Sequence, residues 1–260
     1  MAESSIHENP LQALSVLLGV AVLCALLVSV SAVKLQPRYV ANLEAYRLAQ
    51  LESILSALSG TAHAVAADEI ESRVVELGSG RYADGIDAAT FDARKAAVDP
   101  NSSTPIPPAS DIAGIKRRAK HAGVFLLRDA DGHIQLIILP VRGSGYQSSL
   151  YGFLALSGDT STVVALRFYE QGDTPGMGGR IQDPSWEALW PGKQVYDESG
   201  TVRIGVARGK VSPASVDAQH MVDGISGATR TSQGVHGLLR FWLGDFGFGP
   251  FLERVRRGEA

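Results

Sequence analysis

The chain has 260 residues, of which 45% are hydrophobic and 20% are charged, and its formal net charge at pH 7 is -3. A chain of this composition can bury a core of ordinary size, which excludes an intrinsically disordered protein. The small negative charge gives no basic field of the kind that holds nucleic acid. The single cysteine, Cys24, excludes a disulfide framework within one chain.

An apolar segment near the N-terminus is long enough to cross a membrane. Residues 11–33 include no charged side chain, and a helix of this length extends roughly 35 Å at about 1.5 Å per residue. The alternatives are a buried core helix and a cleaved signal peptide. A signal peptide needs basic residues before the apolar segment, whereas residues 1–10 contain two glutamates and no Lys or Arg. We therefore predict an uncleaved transmembrane helix over 11–33, after a cytoplasmic N-tail over 1–10.

The residues that follow predict a second helix and give a conflicting signal about orientation. Apolar residues recur at helical spacing over 34–60, which predicts a juxtamembrane amphipathic helix that ends at Gly60. Lys34, Arg38 and Arg47 are the first basic residues of the chain. Taken alone, the positive-inside rule would place the large domain, residues 61–260, in the cytoplasm.

Within residues 61–260, alternating apolar residues and turn residues predict antiparallel hairpins. These hairpins are 124–128 with 133–141, 150–156 with 162–169, and a third that joins 194–196 to 203–207. The Ser- and Pro-rich residues 101–109 predict a loop, and Asp111 is then a suitable N-cap for a short helix that reaches Ala122. Because helices flank the strands without βαβ alternation, we predict an α+β fold with antiparallel sheets.

The most informative segment is Asp223 to Val235, which reads DGISGATRTSQGV. Apolar residues at helical spacing follow it, so that Thr231 or Ser232 is a suitable N-cap and Thr229 precedes a helix N-terminus. Free backbone N–H groups and the positive end of the helix dipole favour a phosphate there, and Arg230 can add charge-assisted hydrogen bonds. The segment also has a purely structural interpretation, as a turn of small residues that caps the helix.

The same segment resembles the flavinylation motif of the FMN-binding domain family. In that family a flavin transferase joins the phosphate of FMN to the last threonine of Asp-x-x-Ser-Gly-Ala-Thr. The matching positions are Asp223, Ser226, Gly227, Ala228 and Thr229. The rest of the chain is similar to the C-subunit family of the sodium-pumping NADH:quinone reductases, through residues 33–37, 139–141, 150–156, 173–178, 190–193 and 241–252. The resemblance implies FMN joined to Thr229 as a phosphoester, in an FMN-binding core of about residues 140–245.

A second motif of that family, Glu-Thr-Pro-Gly-Leu-Gly, forms a loop that lies against the flavin and is similar to residues 173–178. The cofactor contacts that it implies are Thr174, Pro175, Gly176, Met177 and Gly178. Glycines let backbone N–H groups approach a planar ring, and the Met side chain offers an apolar surface. Asp173 and Met177 replace the Glu and Leu of the family. Gly-Tyr-Gln-Ser at 145–148 replaces its Gly-Leu-Trp-Ser, so Tyr146 is the candidate for the stacking contact of that Trp.

Other kinds of site have less support. The six His residues include no pair at i, i+4 and have no Cys partners, which does not indicate a metal site. A Gly-x-Ser-x-Gly hydrolase motif is absent, and Gly176-Met177-Gly178 does not continue into a dinucleotide-binding pattern. Lys193, Lys210 and Arg180 could reach a flavin or its phosphate, although surface charge is the usual role of such residues.

The resemblance implies a one-electron carrier without catalytic residues of its own. FMN on Thr229 would relay electrons between redox centres of a complex that oxidises NADH, reduces ubiquinone and pumps sodium ions. The implied partners are the other subunits of that complex, the flavin transferase during maturation, and the membrane. Because the transferase acts outside the bacterial cytoplasm, we expect a single-pass inner-membrane protein whose large domain is periplasmic.

Two alternatives share some of these features. The G subunit of the related ferredoxin-linked ion-pumping electron transport complex carries the same flavinylation motif. The long insertion between residues 60 and 140 and the Phe-Trp-Leu-Gly sequence near the C-terminus favour the C-subunit family. The other alternative is a non-redox, membrane-tethered binding module in which the Ser-Gly-Ala-Thr turn is only structural. A flavin spectrum that survives denaturation would separate the redox proteins from this module.

Overall fold

A computed structural model describes residues 10–58 and 70–260, and the chain divides into two compact units, Met1–Arg47 and Leu48–Ala260. The described helices are α1 Pro10–Leu58, α2 Ala93–Val98, α3 Pro184–Glu187, α4 Thr229–Leu243 and α5 Gly249–Arg256. The described strands are β1 Ile70–Glu76, β2 Ser103–Pro105, β3 Arg117–Ala119, β4 His121–Arg128, β5 Ile134–Ser144, β6 Ser149–Ser157, β7 Val163–Glu170, β8 Gly205–Val206 and β9 Met221–Val222.

Helix α1 runs without interruption from Pro10 to Leu58, with Pro37 inside it. Among the described residues it is the one helix long and apolar enough to cross a membrane. The predicted segments 11–33 and 34–60 are therefore parts of one helix as far as Leu58, while residues 59 and 60 lie outside the described residues. Where the membrane segment ends along this helix stays a prediction.

The second unit is built on a five-stranded antiparallel sheet in the order β1-β4-β5-β6-β7. The two long hairpins are confirmed, since β4 pairs with β5 and β6 pairs with β7, both antiparallel. Strand β5 also pairs with β6, with Leu139 opposite Leu154. The prediction of an α+β fold with an antiparallel sheet and an apolar N-terminal helix is confirmed.

Both faces of the sheet are covered by apolar cores. Successive side chains of a strand point to opposite faces, so neighbouring residues of one strand enter different cores. Leu154 and Leu156 of β6 belong to the larger core, which α4 and α5 complete. Phe153 and Ala155 belong to a second core on the other face, which also contains Ile54 of α1. The sheet is thus the middle layer of the second unit.

The predicted helix from Asp111 to Ala122 is wrong. The Asp111 carboxylate accepts hydrogen bonds from the backbone N–H groups of Ile115 and Lys116, at 2.9 and 2.8 Å. Lys116 has a positive φ of 61°, which a right-handed helix does not allow. The chain then enters β3, which pairs with β2 inside the predicted loop 101–109.

The third predicted hairpin is also wrong in its main pairing. Its two arms form no ladder: the N–H groups of Arg203 and Ile204 donate to the carbonyl of Val195 at 2.8 and 3.1 Å, and an isolated antiparallel bridge joins Tyr196 to Val202, just before the second arm. The second arm instead becomes β8, which pairs in parallel with β9. Strand β9 immediately precedes the segment that begins at Asp223, so this pairing helps to position the predicted flavinylation motif.

A buried ion pair connects α3 to β7. The Glu187 carboxylate lies 3.0 Å from Nη1 of Arg167, and Glu187 is only 9% exposed. Burial raises the pKa of Glu187 to about 7, and the attraction of Arg167 offsets this only in part. Repulsion from Asp183 adds to the rise, and Nη1 of Arg167, although close to the carboxylate, makes no hydrogen bond to the described residues.

This raised pKa predicts a stability that falls as the pH rises. Below the ordinary Glu pKa of 4.5 the group is protonated in both states, whereas between 4.5 and about 7 the unfolded chain loses the proton first. The free energy of unfolding should therefore fall by about 1–3 kcal/mol across this window and level off above it. We expect Glu187→Gln to flatten the fall, measured by urea unfolding in detergent between pH 5 and 8. Glu198 is exposed, so Glu198→Gln is the control and should keep the fall. If the free energy of unfolding falls as much in Glu187→Gln as in the wild type, another group causes the fall.

Candidate functional site

The predicted acceptor, Thr229, is the first residue of helix α4, and Ala228 is the N-cap. The first backbone hydrogen bond of the helix runs from the N–H of Ser232 to the carbonyl of Ala228, at 2.9 Å. The amides of residues 229–231 therefore have no acceptor within the helix. Because Thr229 is exposed, its hydroxyl lies beside free amides and the positive end of the helix dipole, a combination that suits a phosphate.

The residues before α4 fold back onto its first turn. Ser226 and Gly227 form an exposed turn, in which Gly227 has a φ of +79° that favours glycine. The N–H of Ile225 donates to the hydroxyl oxygen of Ser232 at 3.1 Å, and the N–H of Ala228 donates to the carbonyl of Ile225 at 3.0 Å. This turn leaves the space around Gly227 open next to Thr229.

The prediction that Thr231 or Ser232 caps the helix is wrong. The helix begins earlier, and its N-cap residue Ala228 makes no side-chain hydrogen bond. Thr231 and Ser232 are 1% and 4% exposed, with their hydroxyl groups directed inward. Ser232 accepts the bond from Ile225, and Thr231 donates to a carboxylate oxygen of Asp173 at 2.6 Å.

The side chain of Asp173 joins three segments: its own 173–178 loop, the 145–148 loop and α4. The sequence did not indicate that these segments are in contact. The buried carboxylate, which belongs to the 173–178 loop, accepts four hydrogen bonds from the 145–148 loop and from α4. The donors are the N–H groups of Tyr146 at 3.0 Å and Gln147 at 2.9 Å, and the hydroxyls of Ser148 at 3.3 Å and Thr231 at 2.6 Å. The one feature of the sequence that could have pointed to this role is that Asp173 is the single acidic residue within the Gly-rich residues 171–179.

The surroundings of Asp173 keep it ionised at neutral pH. Burial raises the pKa of this carboxyl, but the hydrogen bonds from Thr231, Gln147, Tyr146 and Ser148 outweigh burial and hold the pKa below its usual range. An ionised carboxylate is a hydrogen-bond acceptor only. This matches its surroundings, in which every bonded group is an N–H or O–H donor.

The rest of the 173–178 loop is exposed except at its end. Thr174, Pro175, Gly176 and Met177 are all exposed, and the N–H of Met177 donates to the carbonyl of Thr174 at 3.1 Å. Gly178 is buried, and a Cβ atom there would lie 2.5 Å from the Thr231 hydroxyl oxygen. Gly178 therefore has a packing role, in addition to the cofactor contact predicted for it.

Tyr146 and Arg230 come together above the N-terminus of α4. The guanidinium carbon of Arg230 lies 5.3 Å from the centroid of the Tyr146 ring, within the range of a cation–π contact. Tyr146 is 54% exposed and Met177 is 48% exposed. We call nine exposed residues of these segments the α4 N-terminal cluster: Tyr146, Thr174, Pro175, Gly176, Met177, Ser226, Gly227, Thr229 and Arg230.

Asp223 contacts a different region from this cluster. Its carbonyl accepts a hydrogen bond from the indole N–H of Trp186 at 3.0 Å, and its carboxylate accepts one from the N–H of Val211 at 2.8 Å. Asp223 also lines a mostly apolar cavity of about 310 Å³, together with Lys193. The other lining residues are Leu189, Val211, Pro213, Ala218, Met221 and Val222.

The three basic residues considered from the sequence have other contacts or are exposed. Lys193 donates to the carbonyl of Ala218 at 2.6 Å, and Arg180 pairs with Asp183 at 3.2 Å. Lys210 is exposed. In the described part of the chain, one group of side chains has metal-ligand spacing: the exposed Asp129, Asp131 and His133 in the β4–β5 turn. This group lies at the turn of a hairpin, outside the α4 N-terminal cluster.

Comparison with known proteins shows which family the chain resembles. The FMN-binding domain family matches residues 145–244, which include both loops and all of α4. The chain is 42% identical to the C subunit of the Na(+)-translocating NADH-quinone reductase of Pseudomonas aeruginosa, an alignment that covers 98% of this chain and 99% of that protein. It is 39% identical to the corresponding protein of Vibrio alginolyticus, with the same coverage of both chains.

Two solved structures are similar to the chain. The crystal structure of Shewanella oneidensis NqrC matches with a TM-score of 0.67 and 34% identity, over 74% of this chain and 86% of that one. The crystal structure of the corresponding protein from Parabacteroides distasonis matches with a TM-score of 0.53 and 27% identity, over 80% of this chain and 94% of that one. The Pseudomonas aeruginosa and Vibrio alginolyticus proteins are about 40% identical to this chain over 98% of its length. The chain therefore belongs to the NqrC family, the C subunits of the Na(+)-translocating NADH-quinone reductases.

Proposed function

We propose that the chain is an electron-transfer subunit of a sodium-pumping NADH:quinone reductase and that it carries FMN as a phosphoester on Thr229. The observation that carries this proposal is the exposed Thr229 hydroxyl at the start of α4, within a complete flavinylation motif. The FMN-binding domain match and the family of the chain support the same cofactor.

The structure gives a physical reason for the choice of Thr229 over its neighbours. Three hydroxyls lie in the first turn of α4, on Thr229, Thr231 and Ser232. The last two are buried, and each takes part in a hydrogen bond inside the protein. A transferase that approaches from solvent can therefore reach only the Thr229 oxygen among these three.

The cluster around Thr229 fits a flavin phosphate and ring. The free amides of residues 229–231 and the charge of Arg230 suit the phosphate. Tyr146 and Met177 offer exposed apolar surface to the ring, and the space around Gly176 and Gly227 is open. When bound, the flavin supplies the one-electron chemistry, while these residues supply position and charge.

Exposure of the cluster also fits a relay between proteins of the complex. Thr174, Met177, Thr229 and Arg230 all face solvent, so a flavin held among them would lie near the surface of this chain. Electrons would then enter and leave through partner proteins that cover the cluster. Oxidation of NADH and reduction of quinone would take place elsewhere in the complex.

Intact mass measurement tests the attachment. We expect the full chain, coexpressed with a flavin transferase and then denatured, to carry one FMN phosphoester on the peptide that contains Thr229. Flavin that is lost on denaturation would contradict the covalent bond. A chain without any flavin would favour the alternative of a non-redox, membrane-tethered binding module. The similarity to NqrC proteins over nearly the whole chain favours this family over the G subunit of the ferredoxin-linked complex.

We also infer that the large domain lies in the periplasm, on a single-pass protein of the inner membrane. The apolar part of α1 can cross the membrane once, and attachment of flavin by an exported transferase requires Thr229 outside the cytoplasm. Lys34, Arg38 and Arg47 favour the opposite orientation under the positive-inside rule. Because that rule is statistical and the motif match is specific, the motif decides the proposal.

Reporter fusions test this topology. We expect alkaline phosphatase fused after Ala260 to be active, because it folds only after export, and green fluorescent protein exported by the Sec route at the same position to be dark. Green fluorescent protein fused before Met1 is the control and should fluoresce in the cytoplasm. The reverse pattern at the C-terminus would place Thr229 in the cytoplasm and contradict the proposed route of flavin attachment.

A further inference from the structure

The carboxylate of Asp173 is buried, although the cluster beside it is exposed. Asp173 is 3% exposed, whereas Tyr146 is 54% exposed. The leading groups that lower its pKa are the hydrogen-bond donors of Thr231, Gln147, Tyr146 and Ser148. A buried charge stabilised by such donors depends on the position of each one, because a displaced donor leaves the charge less compensated.

Two glycines make room for this carboxylate. A Cβ atom on Gly145 would lie 2.8 Å from one carboxylate oxygen of Asp173, and a Cβ atom on Gly178 would lie 2.7 Å from the Cβ of Asp173. Both distances are too short for real side chains. The two loops and α4 are therefore packed around Asp173 so closely that its carboxylate has little freedom to rotate.

Three of the residues expected to meet the flavin are bound by Asp173 or lie next in the chain to Asp173 or to a residue that it binds. The N–H of Tyr146 is bound directly. Arg230 precedes Thr231, whose hydroxyl is bound. Thr174 follows Asp173 itself. One carboxylate thus connects the stacking surface, the phosphate-side cation and the start of the 174–178 loop.

We propose that Asp173 is a positioning residue that fixes Tyr146, Arg230 and the 174–178 loop in the arrangement that orients the flavin. The inference rests on the proposed attachment of FMN to Thr229. Asp173 touches neither the acceptor hydroxyl nor a reacting atom. It acts through the residues that it holds.

Asp173→Asn is the main variant, because it keeps the size of the side chain and replaces one acceptor oxygen with an NH2 donor. That donor must face the N–H of Tyr146 or Gln147, which leaves a buried donor unsatisfied. Asp173→Glu keeps an acceptor-only head group and is the conservative variant. The matched control is Asp159→Asn at the far end of β6, where the carboxylate accepts bonds from the N–H groups of Ser161 and Thr162.

Two measurements on the full chain test the proposal. In the flavin-free protein, hydrogen exchange of the peptide covering residues 145–148 should be about tenfold faster or more in Asp173→Asn. In the flavin-loaded protein, the visible circular dichroism of the flavin should change, because this signal reports the orientation of the ring against its surroundings. Asp173→Glu should restore both signals at least in part, and Asp159→Asn should leave both unchanged.

The outcomes separate this inference from the proposed function. Unchanged exchange, or faster exchange with an unchanged flavin signal, would overturn the positioning role while the attachment to Thr229 stands. A wild-type chain without covalent flavin would overturn the attachment and, with it, the positioning role. If Asp173→Asn does not fold, Thr231→Val removes one of the four hydrogen bonds and should give the same changes to a smaller degree. Wild-type signals in that variant would equally overturn the proposal.

Discussion

Thr229→Ala should lose all covalent flavin, whereas Thr231→Ala should keep it. The first change removes the exposed hydroxyl that the proposal makes the phosphoester oxygen. The second removes a buried hydroxyl that donates to Asp173, at a cost of about 1–2 kcal/mol in stability. In-gel flavin fluorescence and intact mass after coexpression with the transferase measure both outcomes. Loss of the adduct only in Thr231→Ala would move the attachment site.

Ser226→Ala is the control for the other exposed hydroxyl of the motif. Ser226 lies in the turn before α4 and faces solvent, so exposure alone does not distinguish it from Thr229. The helix N-terminus does, because free amides and the helix dipole favour a phosphate at the first helical residue. We expect the adduct in Ser226→Ala to remain on Thr229, even where the altered motif slows its formation.

The long hairpins and α4 were predictable because each depends on neighbouring residues. Turn residues separate apolar strands in β4–β5 and β6–β7, and the apolar period of α4 follows from its own sequence. The failures have the opposite cause. The segment after Asp111 becomes β3 because it pairs with β2, and Gly205–Val206 pairs with Met221–Val222. The local sequence pattern of a short strand does not indicate which distant segment it pairs with.

In the candidate site, too, the features within one short segment were predictable, and the contacts between distant segments were not. Thr229, its motif and the 173–178 loop were identified from short sequence matches. The hydrogen bonds of Asp173 were not, because its donors lie 25 to 58 residues away in the chain. The capping prediction for Thr231 and Ser232 failed for a related reason. Hydroxyls suited to a cap can equally bind inward, and the packing of the loops against α4 decides between the two.

Gly234→Ala should destabilise the protein, although alanine ordinarily stabilises a helix interior by about 1 kcal/mol relative to glycine. Gly234 lies within α4, where a Cβ atom would be 2.2 Å from the carbonyl oxygen of Ser144 at the end of β5. Because that neighbour is backbone, it cannot move aside as a flexible side chain can. Overpacking of this kind costs about 1–3 kcal/mol and occasionally more.

We expect a net loss of about 2 kcal/mol, which lowers the unfolding temperature by roughly 4–8 °C in a domain of this size. Thermal unfolding of the full chain in detergent measures the shift. Gly209→Ala is the control, because nothing lies within 4 Å of a Cβ atom there, and its unfolding temperature should stay near that of the wild type. The displacement should also reach Tyr146, since Ser144 leads into the 145–148 loop, and reduce the visible circular dichroism of the bound flavin. A Gly234→Ala chain more stable than the wild type would show that helix propensity prevails and that α4 does not approach β5 this closely.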